Sequence, residues 1–437
     1  MKRINNSVIV LSLFAGIMYT QAQDKKQLSL DEAVQLGIQN SKSLKIDAAK
    51  IEEATADLLE AKNRQLPELK VSASYLYLPL KPNVDIKLPG VSGAGGPEVH
   101  QVAFGSANLS VPIYNGGRIK YGIESAKYLV EASKLSTEND KVAIAYNVAQ
   151  AYNNLFKANQ SIKVLEENLT ASQKRDETFL KLENNGVIAR NDRLKANLQT
   201  SNIELQLLEA KNNYNIANIN MDLLLGLPEI TEIEVDQNYV DESDDVKPVS
   251  FYLNEARENR KDLQALDQQR KAAELGTKSA KAENLPSIAF TGGYVAADIP
   301  KFLTIYNAVN VGVGVSYNLS NLWKENSSLK QSKAREMQLS ATNELLNDNI
   351  KLDVNREYQN SDYSKKRITV FEKAAVQANE NYRITKNKYD NGLATMTELL
   401  DADAAQIAAN VGVINAKADA ALAYRKLLQT TGTLTIK

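Results

Sequence analysis

Three carboxylates lie close together in the stretch NGLATMTELLDAD, which spans residues 391–403. Paired carboxylates can serve as the acid and base of a glycosidase, bind a cation, or concentrate negative potential in a narrow passage. Glu398 and Asp401 are i, i+3 neighbours on one face of a predicted helix. Asp403 points away from that face, and we expect it to be solvated. Thr395 precedes Glu398 by three residues, so helix capping is an alternative role for this acid.

Other residues that commonly carry chemistry are scarce. The chain has 437 residues, no Cys and one His, and its 52 Lys and Arg residues nearly balance 53 Asp and Glu residues. The lack of Cys excludes a thiolate metal site, and one His is too little for a His-based metal or acid–base centre. Near-neutral charge gives no reason to expect nucleic acid as a partner. Acids on a coiled-coil helix also lack the pocket of a glycosidase, so we expect no enzyme, no metal and no cofactor.

The N-terminus has the pattern of a secretory signal peptide. Lys2 and Arg3 precede the apolar run Val8–Met18, and small residues favour cleavage after Ala22. A membrane anchor would need about 18 apolar residues, and this run has eleven. We therefore predict a signal peptide over residues 1–22 and an exported protein.

The remaining chain reads as a tandem duplication. A shift of 219 residues aligns 40–75 with 259–294, and a shift of 206 aligns 152–226 with 358–432. Internal repetition of this kind marks a repeated structural unit. We predict a first repeat over 23–226, a linker over 227–250 and a second repeat over 251–437.

Each repeat is expected to contain the same series of elements. A helix of about 37 residues (Leu30–Leu66, and roughly 251–285) stops at a Pro, and two strands follow. A helix of about 65 residues then leads through an Asn-Gly turn into a helix of about 38 residues. The longest helices would span about 100 Å, too long for a globular core. Their apolar residues follow the 4-3 spacing of coiled coils, at Ile144, Val148, Ala151, Leu155, Ala158, Ile162, Leu165 and Leu169.

The predicted strands alternate between apolar and small polar residues. In the second repeat, Val309, Val311, Val313 and Val315 face one side, and residues 69–78, 107–114 and 287–296 alternate similarly. Outer-membrane barrels show this lipid-out, lumen-in pattern, but so does a water-facing sheet with one buried side. Four strands cannot close a barrel, so several chains would have to share one, as a dimer or a trimer. Trp323, at a strand-to-helix junction, is the expected membrane-interface anchor.

The repeated plan, the Leu66-Pro67 and Leu285-Pro286 steps, the strand exit VPIYNGGR and the two turn sequences together resemble the TolC family of outer-membrane efflux proteins. The resemblance implies a mainly α protein with a transmembrane β-barrel. Three chains would form a homotrimer, with four strands each in a shared twelve-stranded barrel and coiled-coil-like helices in a periplasmic α-barrel. The protein would lie in the outer membrane of a Gram-negative cell, in contact with its lipid, and extend into the periplasm.

The resemblance also implies a function. Such ducts passively conduct drugs, metals or proteins to the exterior, and are joined through a periplasmic adaptor to an inner-membrane transporter. The alternative is a periplasmic coiled-coil adaptor or spacer without a channel. Adaptors usually carry one helical hairpin, so the complete duplication with strands in each repeat favours the duct.

Site residues follow from the same resemblance. Adaptor hairpins dock at the turns, which here contain Gly186-Val187 and Gly392-Leu393. Symmetry would turn Glu398 and Asp401 into rings of gate acids at the narrow end of the duct.

Closure of the tip departs from the family pattern at one position. Tyr389 and Asp192 match two residues that hold the tip closed in the best-known member. The third position, an Arg in that member, is Ala394. The closing contact must therefore differ, and Arg190 or Arg193 is the expected substitute.

Overall fold

A computed structural model of the protein describes residues 25–80, 99–240, 246–300 and 303–435. The predicted signal peptide lies outside the described residues. In chain order the elements are β1 (Lys25–Leu28), α1 (Leu30–Asn40), α2 (Lys42–Asn63), β2 (Glu68–Tyr77), β3 (Gln101–Tyr114), α3 (Arg118–Asn184), α4 (Arg190–Leu225), β4 (Glu232–Val235), α5 (Val249–Asn259), α6 (Lys261–Ala282), β5 (Ser287–Ile299), β6 (Leu303–Ser316), α7 (Ser327–Asp390) and α8 (Met396–Thr431). The series from α1 to α4 recurs from α5 to α8.

Strands β2, β3, β5 and β6 form one antiparallel sheet in the order β2-β3-β5-β6. Val71 pairs with Ala107, Ala107 with Tyr294, and Tyr294 with Val309. Residues directly opposite each other share a face, so the apolar side chains of all four strands lie on the same side. The predicted alternation is therefore confirmed, and the opposite face carries mainly Ser, Asn, Thr and Gly.

The long helices form a layer in which α4 packs against α3, α3 against α8, and α8 against α7. Helix α3 has 67 residues, which corresponds to about 100 Å. Its predicted coiled-coil seam is buried at Val148, Ala151, Leu155 and Leu165. Within the described ranges, no helix is long and apolar enough to cross a membrane.

The first helix of each repeat is broken, which corrects the prediction of one continuous helix over Leu30–Leu66. Ser41 has an extended backbone, with ψ at 122°, and its side chain caps α2 by accepting a hydrogen bond from the Leu44 N–H at 3.2 Å. The equivalent Arg260 has ψ at 118° and separates α5 from α6. At the first break, the Asn40 side chain donates to the carbonyl of Leu225 at 2.7 Å. This hydrogen bond joins the C-terminal end of α1 to the C-terminal end of α4.

The hydrophobic cluster with the most buried residues lies around α1, close to the first break. There β1 and β4 pair in parallel, so the segment predicted as a linker, 227–250, contributes a strand. Tyr152 of α3 is fully buried, its hydroxyl donates to the Leu28 carbonyl at 2.9 Å, and it accepts from the Asp236 N–H at 2.7 Å. The Tyr152 side chain thus links α3 to two other segments, the start of the described chain at Leu28 and the inter-repeat segment at Asp236.

Candidate functional site at the helix turns

The two Asn-Gly turns have the same geometry. Helix α3 ends at Asn184 and α7 at Asp390, and the glycine two residues later has φ at +71° in both turns. The N–H of Val187 donates to the Leu182 carbonyl at 2.9 Å, and the N–H of Leu393 to the Lys388 carbonyl at 2.8 Å. A left-handed residue of this kind is best filled by glycine, because it has no Cβ to clash. The apolar residue after each glycine is exposed.

A small hydrophobic cluster joins the two hairpins beside the turns. Its buried members, two from each repeat, are Phe179, Ala196, Met396 and Leu399. Tyr389 packs edge-on against Phe179 with ring centroids 5.8 Å apart. Burial raises the pKa of the Tyr389 hydroxyl, and the nearby carboxylate of Asp192 acts in the same direction. Tyr389 and Asp192, the two residues assigned to tip closure, are thus close enough for the charge of one to act on the hydroxyl of the other.

Glu398 is engaged at the start of α8. Its carboxylate accepts from the Thr395 N–H at 2.6 Å and from the Thr395 hydroxyl at 2.9 Å, and the Glu398 N–H donates back to that hydroxyl at 3.3 Å. This is a complete capping box. Hydrogen bonds from the backbone and then the hydroxyl of Thr395 lower the pKa of the Glu398 carboxyl. The capping role is therefore confirmed.

Asp401 lies one turn further along α8, and its environment is different. Its side chain is exposed. Within the described residues it forms no hydrogen bond or ion pair. Of the three acids, Asp401 is the one whose carboxylate has no partner within the described residues.

The expectation that Asp403 is solvated is wrong. Asp403 is buried, and its carboxylate lies 2.8 Å from the guanidinium of Arg175 on α3. The same guanidinium donates to the hydroxyl of Tyr382 on α7 at 3.3 Å. Leu399, Asp403 and Ile407 are spaced by four residues on the buried side of α8. An acid at such a position needs a cation, and this spacing is the signal that the sequence reading missed.

Neither arginine expected to substitute at the tip bridges the two hairpins in the described structure. Arg193 pairs with Glu183 at 3.2 Å, inside the hairpin of α3 and α4, and Asp192 pairs with Lys195 at 3.4 Å. Arg190 is exposed. The ion pairs that link the repeats lie further from the turns: Arg175–Asp403, and Lys157–Asp419 at 2.8 Å.

Two further features bear on the predicted chemistry. Trp323 follows β6 and is 70% exposed, so its side chain is available for contact outside the chain. Among the described residues, no group of three or more His, Cys, Asp or Glu side chains could hold a metal ion.

Comparisons with known proteins place these features in a wider context. The sequence profile of the outer membrane efflux protein family matches residues 33–227 and 252–433. No curated protein sequence matches the chain. Among solved structures, the outer membrane protein VceC of Vibrio cholerae is 18% identical, with a TM-score of 0.76 over 92% of this chain and 96% of that one. The outer membrane channel CmeC of Campylobacter jejuni, also 18% identical, has a TM-score of 0.75 over 93% and 86%. The open state of the MtrE outer membrane channel of Neisseria gonorrhoeae has a TM-score of 0.73 at 18% identity, over 93% and 89%. At these identities the structures show a shared fold.

Proposed function

Because the chain belongs to the outer membrane efflux protein family, we propose that it is the outer-membrane exit duct of a tripartite efflux or type I secretion system. Three chains assemble into one duct, and each contributes four strands to a twelve-stranded barrel. The duct passively conducts substrates from the periplasm to the exterior when it is docked to an adaptor and an inner-membrane transporter.

The main support for this proposal is the four-stranded sheet, whose two edges are unpaired within the described chain. Its outer strands, β2 and β6, each pair on one side only within the described chain. Their apolar side chains are highly exposed, among them Val71 at 73%, Val309 at 70% and Val313 at 64%. In lipid, unpaired N–H and C=O groups at a sheet edge cost several kcal/mol each. Pairing β6 of one chain with β2 of the next removes both edges and turns the apolar face towards lipid.

The flanks of the helix layer support the same assembly. Helices α4 and α7 occupy the two flanks, and each carries exposed apolar residues on one side. These include Leu194, Leu198, Leu205, Leu208, Ile216, Ile219 and Leu223 on α4, and Leu345, Leu352, Tyr363 and Val370 on α7, where Met337, Val376 and Ile384 are exposed as well but at other positions around the helix. At 3.6 residues per turn each set forms one stripe, which is the pattern of a helix that packs against a partner. In the trimer, α4 of one chain covers α7 of its neighbour.

We further propose roles for the residues around the turns. Gly186, Val187, Gly392 and Leu393 receive the adaptor, because the two turns are alike and expose an apolar residue beside the glycine. Val187 is 67% exposed and Leu393 is 77% exposed. Asp401 forms the ring of gate acids, to which Glu398 adds charge while it caps α8. Tyr389 and Asp192 belong to the closed tip, and Trp323 anchors the barrel at the membrane interface.

The assembly is tested by isolating the protein from outer membranes in mild detergent and measuring its mass. A trimer that separates into single chains only on heating supports the duct. A single chain in the soluble periplasmic extract would instead support an adaptor or spacer. Replacing Val309 and Val313 by Asp gives a sharper test, because charges on the lipid face should prevent membrane assembly. The matched variant Asn310→Asp, on the opposite face of β6, should still assemble.

A further inference from the structure

A charged cleft of about 220 Å³ lies at the break between α5 and α6. Four helices supply its walls: α3, the start of α6, the middle of α7 and the end of α8. Its cationic residues are Arg260, Lys261, Arg356 and Lys426, and its acidic residues are Glu138 and Asp353. The gate, the turns and the sheet are all formed by other residues, so the cleft is separate from the proposed duct machinery.

Most charges in the cleft are already compensated within the chain. Glu138 pairs with Lys141 at 2.7 Å, and Arg356 lies between Asp353 and Glu357 at 2.9 and 3.0 Å. Arg260 pairs with Asp262 and also donates to the Thr430 carbonyl at 3.1 Å. Each of these ion pairs lies within one wall of the cleft and leaves it little net charge, while the Arg260 hydrogen bond to Thr430 joins the start of α6 to the end of α8.

Two ammonium groups are left without a carboxylate. Lys261 donates to the Gln264 side chain at 3.3 Å and Lys426 to the Gln429 side chain at 2.8 Å. Within the parts of the chain that the structure describes, neither lysine forms an ion pair. Both are half-buried, and Lys426 is further held over the Tyr146 ring at 4.4 Å. Two fixed, partly desolvated positive charges facing one cleft favour a doubly charged anion.

The duplication provides an internal comparison. A shift of 206 places Gln150 at the position of Arg356 and Asn220 at that of Lys426, and a shift of 219 places Ser41 at that of Arg260. The first repeat forms the same helix break with neutral residues at these three positions. Lys261 corresponds to Lys42, so the comparison concerns the other three cations: the break forms without them, and they need another explanation.

We propose that this cleft binds a phosphate group, as inorganic phosphate or a soluble phosphate monoester. Phosphate carries up to two negative charges near neutral pH and accepts several hydrogen bonds, which matches two free ammonium groups with the exposed Arg356 beside them. Helix α6 has 22 residues, so about 33 Å separates the cleft from β5. With the sheet in the membrane, a step that rests on the proposed function, lipid phosphates are out of reach. A bound anion would join α6, α7 and α8.

The test is calorimetric titration of the full-length protein in detergent with inorganic phosphate at constant ionic strength. We expect saturable binding at one site per chain. The double variant Arg356→Gln, Lys426→Asn carries the residues of the first repeat, so it should fold, and its affinity for phosphate should fall at least tenfold. Lys42→Gln, at the position equivalent to Lys261, is the matched control and should bind like the unmodified protein.

Three results with phosphate would overturn the proposal. These are no saturable phosphate binding, equal affinity in the double variant, or an equal loss in Lys42→Gln, which would indicate non-specific attraction. Acetate should bind at least tenfold more weakly than phosphate, and equal binding would exclude a dianion site. If the double variant misfolds, Lys261→Gln alone should reduce the affinity. Because the trimer mass is measured separately, failure here leaves the duct proposal untouched.

Discussion

Arg175 of α3 and Asp403 of α8 form a buried ion pair across the two repeats, with 2.8 Å between guanidinium nitrogen and carboxylate oxygen. Their side chains are only 14% and 5% exposed. Tyr382 extends the contact to α7. The pair lies beside the hydrophobic cluster that joins the hairpins, so it helps to fix the first turns of α8, which carry the proposed gate acid.

Asp403→Ala should loosen this region strongly. It leaves the Arg175 guanidinium buried without a carboxylate, and loss of one partner of a buried pair costs about 3–5 kcal/mol. We expect a lower thermal midpoint and faster amide hydrogen exchange at the start of α8. The double variant Arg175→Met, Asp403→Leu should recover part of the loss, since no charge is then stranded. Asp401→Ala, two residues away and exposed, is the control. If Asp403→Ala lowered the thermal midpoint as little as Asp401→Ala, the Arg175–Asp403 pair would contribute little to stability.

The sequence predicted the repeated elements well because their signals are periodic. Alternation along whole strands and coiled-coil spacing maintained from Ile144 to Leu169 are hard to produce by chance. The breaks at Ser41 and Arg260 carry no Pro or Gly, and they depend on contacts with helices far away in the chain, such as the bond between Asn40 and Leu225. Strands β1 and β4 have four residues each, too few for a pattern to show.

The candidate site was predicted less completely. The turns, the capping box and the exposed Asp401 follow from local sequence. The burial of Asp403 depends on where α3 lies, and its partner Arg175 is 228 residues away. Pairing over such a separation requires the tertiary structure, which a reading of α8 alone does not supply. The family resemblance inferred from these motifs is confirmed by the sequence profile.

Gly392→Trp should abolish efflux in cells and leave trimer assembly intact. No atom lies within 4 Å of a Cβ added at Gly186 or Gly392, so a large side chain would project outwards and obstruct the adaptor. Gly392→Ala is the matched control, because it imposes the same positive-φ strain of about 1–2 kcal/mol without the bulk. Efflux is measured as drug accumulation or drug susceptibility. Similar efflux in the Trp and Ala variants would argue against docking at the turns.

Asp222 should make the stability of the core depend on pH. It is fully buried, and burial raises the pKa of its carboxyl from 3.8 to about 6. One oxygen accepts from Asn218 at 3.0 Å, and the other has no partner among the described atoms. The folded state therefore disfavours the charged form. The contribution of this group is most favourable below pH 3.8 and declines as the pH rises through 6, by up to about 3 kcal/mol.

Asp222→Asn removes this charge at every pH. The variant should be more stable than the unmodified protein at pH 8, and the difference should shrink towards pH 5. Thermal midpoints across this range provide the measurement. A difference for Asp222→Asn that stays constant with pH would exclude titration of this carboxyl.

The last prediction concerns the gate, where the structure separates the two acids. Asp401 is exposed and unpaired within the described chain, whereas Glu398 is held by Thr395. In the proposed trimer each forms a ring of three carboxylates at a constriction, where like charges raise the local potential and favour cations. Several carboxylates can share one multivalent ion, so a trivalent cation on the periplasmic side should block the current.

Asp401→Asn should weaken this block at least tenfold and reduce cation selectivity. Thermal stability should hardly change, because the Asp401 side chain forms no hydrogen bond or ion pair with the described residues. Glu398→Gln keeps the capping geometry, since Gln also completes a capping box, and its effect on block should be smaller. The double variant removes six charges from a trimer and should abolish most of the block. Planar-bilayer conductance of the three variants and the unmodified protein, each with trivalent cation added from the periplasmic side, measures this. If the trivalent cation blocked all four proteins equally, Glu398 and Asp401 would have no role in the block. The proposed gate ring would then have to be abandoned.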